Sequence, residues 1–418
     1  MNHRELRFSL RPLDFLDGQE LSRVGAVELR KRPHHRLLVW NSDMLRDLFR
    51  SEQRMRLAGS STLEPLVGRR SLLFANGDRH TCYRRIVGAR LRGEPLASYC
   101  GLILDTARSA VEELRPGSTA TMSVWAHHLI LRIFSQIALG RVDESLVSAF
   151  ASWVAGALGS RPRALSYRYV RPPAAVPSPW RTFLCRRGEL ATRIRRGVRD
   201  GSYPGLAAML PADIDEDETV DQVFSLLFAG YETTATALTS ALQWLDRDEP
   251  LRHNIQDELD ASSADGSSAA DLPLLNAVCL ETLRISPPAL IAGNRVLLDD
   301  VEVAGQPMSA GTRLTPCIYL AHRQPEIYSS PHVFDPGRFL DRRPPAHAYL
   351  PFGGGRRRCL GADLAQLELR MVLAALLRRR VLTSAEDIPP KLRVHGQVLG
   401  FGTKTTMAIE ARRGTSDS

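Results

Sequence analysis

Apolar residues recur at helical spacing along most of this chain, and the stretches that read as strands are short. They are HRLLVW (35–40), the patch RVLLDDVEVAGQPMSAGTRLTPCIYL (295–320) with Gly305 and Gly311 as its turn residues, and MAIEAR near the end. That balance leaves no room for a large sheet and predicts a mainly α fold with small β-sheets. A length of 418 residues argues for two or three domains. No composition break separates them, however, so one domain spanning residues 1–418 is the expectation. Near residues 160–180, Pro172, Pro173, Pro177 and Pro179 forbid a continuous helix. The stretch reads as a long surface loop between two helices, and loops of that length are often lids.

Composition narrows the classes further. With 44% hydrophobic and 24% charged residues, the chain can bury a sizeable core as a globular protein. Its first residues, MNHRELRFSLRPLDFLDG, carry charge throughout, so neither a signal peptide nor a membrane anchor is expected. Six scattered cysteines without C-x-x-C pairing argue against a disulfide framework or a structural zinc site and fit a reducing cytoplasm. The formal charge is +9, carried almost wholly by arginine; only Lys31, Lys391 and Lys404 are lysines. No nucleic-acid recognition motif accompanies that excess, which suits an acidic protein partner equally well.

Four constellations carry chemistry. In PFGGGRRRCLGADLAQLEL (351–369), Cys359 stands between a glycine–arginine loop and a helix marked by Leu364, Leu367, Met371, Leu373 and Leu377. A helix N-terminus favours the thiolate, so local physics predicts a lowered thiol pKa. Gly353, Gly354 and Gly355 let the loop turn tightly and approach a flat ligand. A buried thiol, a nucleophile and a metal ligand all remain open on these residues alone. In LNAVCLETLRISPP, Glu281 and Arg284 share one face of an otherwise apolar helix, so a buried pair with further partners is expected.

The third constellation is FSLLFAGYETTATAL (224–238), an apolar helix interrupted by Ala229 and Gly230 and then by Glu232, Thr233 and Thr234. Thr233 can bond back to the carbonyl of Ala229, and a kink facing a cavity is the sharper reading. In the fourth, GDRHTCYRRIV, His80 and Arg84 lie one turn apart.

FGGGRRRCLG resembles the haem-thiolate signature F-x-x-G-x-R-x-C-x-G of the cytochrome P450 family at Phe352, Gly355, Arg357, Cys359 and Gly361. The other constellations resemble further family motifs, in family order. The resemblance implies the P450 fold, with haem b held between a kinked central helix and the cysteine loop. Cys359 is then the axial ligand to iron, and Phe352 packs beside the sulfur. Arg357, His80, Arg84 and Arg295 contact the haem propionates, which arginines neutralise by charge-assisted bonds.

Glu232 and Thr233 become the oxygen-activating pair, Thr233 orienting dioxygen and Glu232 helping to feed protons through water. Glu281, Arg284 and Arg338 become a structural triad. Family geometry sets the substrate against Phe74, Phe224, Phe228, Ala229, Leu290, Ile291, Val398 and Leu399, a mostly apolar wall.

The implied activity is a monooxygenase acting on a hydrophobic small molecule, expected to belong to bacterial secondary metabolism. Oxidative coupling, cyclisation or desaturation is the rival, and a non-catalytic haem sensor the reading from another class. No flavin or iron–sulfur domain is fused, so a separate ferredoxin and ferredoxin reductase are the implied electron donors. The remaining expectations are a cytoplasmic monomer without nucleic-acid or membrane partners.

Overall fold

The computed structural model describes residues 3–20, 24–58, 63–159, 166, 176–210, 214–263, 265–268, 270–385, 391–401 and 405–412. Residues 160–175 of the candidate lid, Ser166 apart, therefore lie outside the described residues. Helices dominate, as the periodicity requires. The central one, Glu216–Asp246, runs for 31 residues and is buried on most faces. Its start is written in the sequence: Asp215 caps the Glu218 N–H, and Glu216, Asp217 and Glu218 place negative charge on the positive helix end. The helix passes Gly230 unbroken, so the expected kink is not a break in the helical ladder. Gly230 answers a packing demand instead, because a Cβ there would run into the ring of Phe134.

Phe134 belongs to the helix Met122–Leu139, which lies along the central helix. Around these two pack Cys100–Glu112, Glu144–Leu158, Pro179–Arg199, Pro273–Ile285 and Ala362–Leu377, and their apolar faces form one continuous core. A second core lies beneath a five-stranded sheet, ordered Ala26–Arg30, Arg36–Val39, Arg313–Pro316, Asn294–Leu297, Met55–Ala58. Only the Arg36–Val39 and Arg313–Pro316 pair is parallel. Thr406–Ala411 is the middle strand of a separate three-stranded sheet.

All three expected strand regions are therefore present. Gly305 and Gly311 both have positive φ, 73° and 81°, as turn residues should. Strands such as Met55–Ala58 escape the periodicity because their residues are only partly buried and do not alternate cleanly.

Candidate active site

Cys359 sits between a short turn, Gly355–Arg357, and the helix Ala362–Leu377. Its N–H donates to the Phe352 carbonyl at 2.8 Å, closing the loop on itself. Gly353 and Gly355 occupy the left-handed region at φ 67° and 65°, and Gly354 lies against the Phe49 ring, so each glycine is required for its own reason. The residue is exposed, yet its thiol is surrounded by protein atoms. Its pKa goes the opposite way from the local expectation. Burial pushes it up, and the Gly361 N–H, Arg358 and Arg84 only partly offset that. The helix end was read correctly, but desolvation outweighs it.

Beside the thiol lies a cluster of cations. Arg84 reaches from the helix Gly77–Gly88 to the Arg358 carbonyl at 2.9 Å, and Leu360 packs over Gly88. Arg357 donates to Asn76 Oδ1 at 2.8 Å. Burial, then Arg295 and other nearby arginines, bring the Arg357 pKa down to about 10. His80 is buried too; burial and the charges of Arg357, Arg84 and Arg356 hold its pKa down at about 4. Like charges so placed call for an anion.

The nearby carboxylate is Glu52, which sequence reading missed because it lies in an ordinary polar tripeptide, Glu52–Arg54. Glu52 is already committed. It accepts from Arg295 Nε at 2.9 Å and Nη2 at 2.7 Å, and from the Arg356 N–H. Arg295, buried at 2% exposure, also donates to the carbonyls of Gly293 and Gly354. Its guanidinium thus braces the cysteine loop through Glu52.

The middle of the central helix has one open stripe. Ala229 is exposed, and Glu232 and Thr233 are partly so, between the buried residues Leu227, Phe228, Tyr231 and Thr234. A helix packed on all sides that still bares such a stripe lines an internal space. Thr233 Oγ1 donates back to the Ala229 carbonyl at 3.3 Å, as anticipated. Glu232 is met by His127 of the neighbouring helix, Nε2 to Oε2 at 3.4 Å, a partner no sequence spacing revealed.

The Glu281–Arg284 pair is fully buried at 0% exposure. Arg284 donates to Glu281 at 2.6 and 2.7 Å and to the carbonyls of His322, Pro331 and Val333. Glu281 further accepts from the Asp335 N–H at 2.9 Å and from Arg338 Nε at 3.3 Å, completing the expected triad. His322 relays this order to the cysteine loop. Its Nδ1–H faces the Arg284 carbonyl at 3.0 Å, while Nε2 accepts the Leu350 N–H at 2.9 Å, just ahead of Pro351 and Phe352.

The expected substrate wall divides. Ala229, Phe74 and Ile291 show surface, and Phe228, Leu290 and Val398 keep a sliver of 7–8%. Phe224 and Leu399 have none, which corrects their assignment. Phe224 packs against Phe150 and Trp153 under the Arg187 guanidinium, and Leu399 joins the core beneath the five-stranded sheet. A cavity of about 610 Å³ lies elsewhere, on the outer side of the cysteine loop. Arg46, Arg343, Arg358 and His347 line it with one acid, Asp363. It touches neither Ala229 nor Thr233.

Comparison with known proteins decides the family. The sequence profile described as Cytochrome P450 matches residues 196–408. Cytochrome P450 135B1 of Mycobacterium tuberculosis is 32% identical over 366 residues, covering 80% of this chain and 73% of the relative. The chain belongs to the cytochrome P450 family. Another P450 relative, the cyclooctat-9-en-7-ol 5-monooxygenase of Streptomyces melanosporofaciens, is 28% identical over 88% of this chain and 84% of its own.

The P450 fold is equally clear. Retinoic acid bound cyanobacterial CYP120A1 superposes with a TM-score of 0.85 at 21% identity, covering 98% of this chain and 96% of its own. As a P450 the protein is an oxidoreductase that uses haem iron. Among the described residues, no helix is long and apolar enough to cross a membrane.

Proposed function

We propose that this P450 inserts an oxygen atom from O2 into a mostly hydrophobic small molecule, holding haem b between Cys359 and the Ala229–Thr233 stripe. The observation that carries the reading is one juxtaposition. An accessible cysteine and an accessible alcohol–acid stripe belong to elements packed into the same buried core. The residues fit the cofactor. A surrounded but open thiol suits a metal ligand, and Arg84 and Arg357, beside a neutral His80, form a cationic pair that two propionates would neutralise.

Bound haem supplies dioxygen binding and reduction, with the thiolate pushing electron density onto the iron. The chain does the rest. The Gly361 N–H and the positive charges of Arg358 and Arg84 would favour the thiolate form of Cys359 that a metal ligand requires. Phe352, half-buried and tied to the Cys359 N–H through its carbonyl, would cover the sulfur side. Thr233 presents a hydroxyl to the cavity, and Glu232 can supply protons to it; insertion of one oxygen consumes two protons and two electrons and releases one water.

The substrate wall, with Ala229, Phe228, Phe74, Ile291, Leu290 and Val398, is apolar and favours a largely hydrocarbon molecule. The name of the Streptomyces relative, a monooxygenase of cyclooctat-9-en-7-ol, supports that substrate class and a role in bacterial secondary metabolism. Electrons would come from a ferredoxin and its reductase, and the Arg46, Arg343 and Arg358 cavity offers charge complementary to an acidic donor. One P450 domain acting as a cytoplasmic monomer completes the reading. Difference spectra across candidate hydrophobic alcohols and hydrocarbons, followed by product mass, test it. A gain of one oxygen is the expected result; a loss of two hydrogens would move the assignment to desaturation or coupling.

A further inference from the structure

The ring of His127 has an acceptor facing each of its two nitrogens. Nδ1 faces the Ser123 carbonyl at 2.6 Å and Nε2 faces the Glu232 carboxylate at 3.4 Å. A carbonyl and a carboxylate both only accept, so a neutral imidazole, with one N–H, leaves one contact unmade. The imidazolium satisfies both. The side chain is 27% exposed, and on the same helix Val124 is 64% exposed and His128 is exposed as well. His127 thus stands between the outer surface of the helix Met122–Leu139 and the acid on the central helix.

We propose that His127 is the positioning residue behind Glu232: as an imidazolium it holds the carboxylate and hands it the proton that Glu232 and Thr233 deliver into the cavity. The inference rests on the reading of Glu232 as a proton donor given above. In the transfer, the His127 Nε2–H bond breaks as an O–H bond forms at Glu232 Oε2. Glu232 releases that proton on the Thr233 side and returns to carboxylate, and His127 takes a new proton from solvent. No electrons move.

The surroundings leave Glu232 as the controlling charge. From the central helix, Glu232 and the Tyr231 ring face His127, the ring edge-on at 5.7 Å. The acid of the helix Glu144–Leu158 that comes near, Glu144, is taken by His128 and Arg132; Glu113, after the helix Cys100–Glu112, is also on Arg132. The packed segment Leu206–Met209 and the strand Thr119–Thr121 carry no titratable residue. Burial alone would lower the imidazole pKa. The bond and charge of Glu232, with the Ser123 carbonyl, more than offset it, and the net shift is upward.

Two measurements on the haem-loaded enzyme test this. The first is a 15N imidazole titration of the ferrous–CO form, with His127 assigned by its absence in H127Q. Its midpoint is expected above the ordinary value of about 6.5 and should fall toward it in E232Q. A His127 midpoint at or below about 6.5 overturns the imidazolium.

The second is the pH profile of NADPH consumption, reconstituted with a plant ferredoxin and its reductase over about pH 6 to 9. H127Q is expected to slow it roughly tenfold, less than removal of a directly acting general acid, because water can substitute in part. The alkaline limb should vanish in H127Q and move to higher pH in H127K, which keeps a cation; a packing role moves neither. An unchanged alkaline limb in H127Q, where E232Q is slow, overturns the proposal alone. A normal rate in E232Q would instead remove the reading of Glu232 on which it rests.

Discussion

Arg284 and Arg357 are both cations held within protein, and their surroundings are opposite. Arg284 has bonds from all three guanidinium nitrogens, a carboxylate and three backbone carbonyls, at zero exposure. Arg357 has a bond to the neutral Asn76 and repulsion from Arg295, Arg84 and Arg356, which Glu52 offsets only in part. A buried ion is tolerated when its partners are complete. Where the chain brings cations together and leaves them short of anions, it is shaped for a ligand that supplies them. The first region is architecture; the second, on the function proposed above, is where the haem propionates would bind.

Breaking the satisfied region should do the most damage. Glu281→Gln leaves Arg284 and Arg338 without their anion, at a cost of about 3–5 kcal/mol. We expect a chain that cannot retain haem, read as loss of the Soret band and an early urea transition. Cys359→Ala removes only the proposed ligand. The fold should persist by circular dichroism, while the red-shifted Soret band of the ferrous–CO complex disappears. A persistent band would remove Cys359 as the ligand.

Thr233→Ala should leave spectrum and stability intact and divert electrons, with roughly tenfold more peroxide per product formed. Unchanged coupling would deny the hydroxyl its role.

Substitution in the unsatisfied region should show the reverse sign in the absence of cofactor. Arg357→Ala relieves like-charge repulsion, so the haem-free protein should melt within about 0.5 kcal/mol of the parent, or slightly above it. The loaded protein should lose haem faster to an apomyoglobin trap. Equal losses in both forms would make Arg357 a structural cation like Arg284.

The smallest effect is a pH slope. His80 has a folded pKa of about 4, below the unfolded value of about 6.5, because burial and the neighbouring arginines disfavour its charge. The unfolded chain therefore binds the extra proton in that window. Haem-free stability should fall as pH drops from about 6.5 toward 4, and His80→Gln should flatten the slope. The buried His322, held to about 3 by burial and then Arg284, adds a slope of the same sign. It persists with haem bound, whereas the His80 slope should shrink once propionates stand beside the ring.

Much of this was legible before any coordinates. Cys359, the helix after it, and the Glu281–Arg284 face depend on spacings within a dozen residues, and local spacing is what a sequence records. Glu52 and His127 were not legible. Glu52 meets Arg295 across 243 residues, and His127 meets Glu232 from a separate helix, so no pattern pairs them. Phe224 and Leu399 were misplaced for a related reason. An apolar residue beside a cavity and one behind it look alike until packing is known.

The sequence by itself determined the helical architecture, the cysteine-loop signature and the types of residue around it, because periodicity, glycine conformation and motif spacing are local properties. Only the tertiary structure decided the charge state of the site. The Cys359 thiol is pushed up rather than down, Arg295 is committed to Glu52, and His127 is placed against Glu232. Each of these is set by desolvation and by charges brought together from distant parts of the chain, and both arise only when it packs.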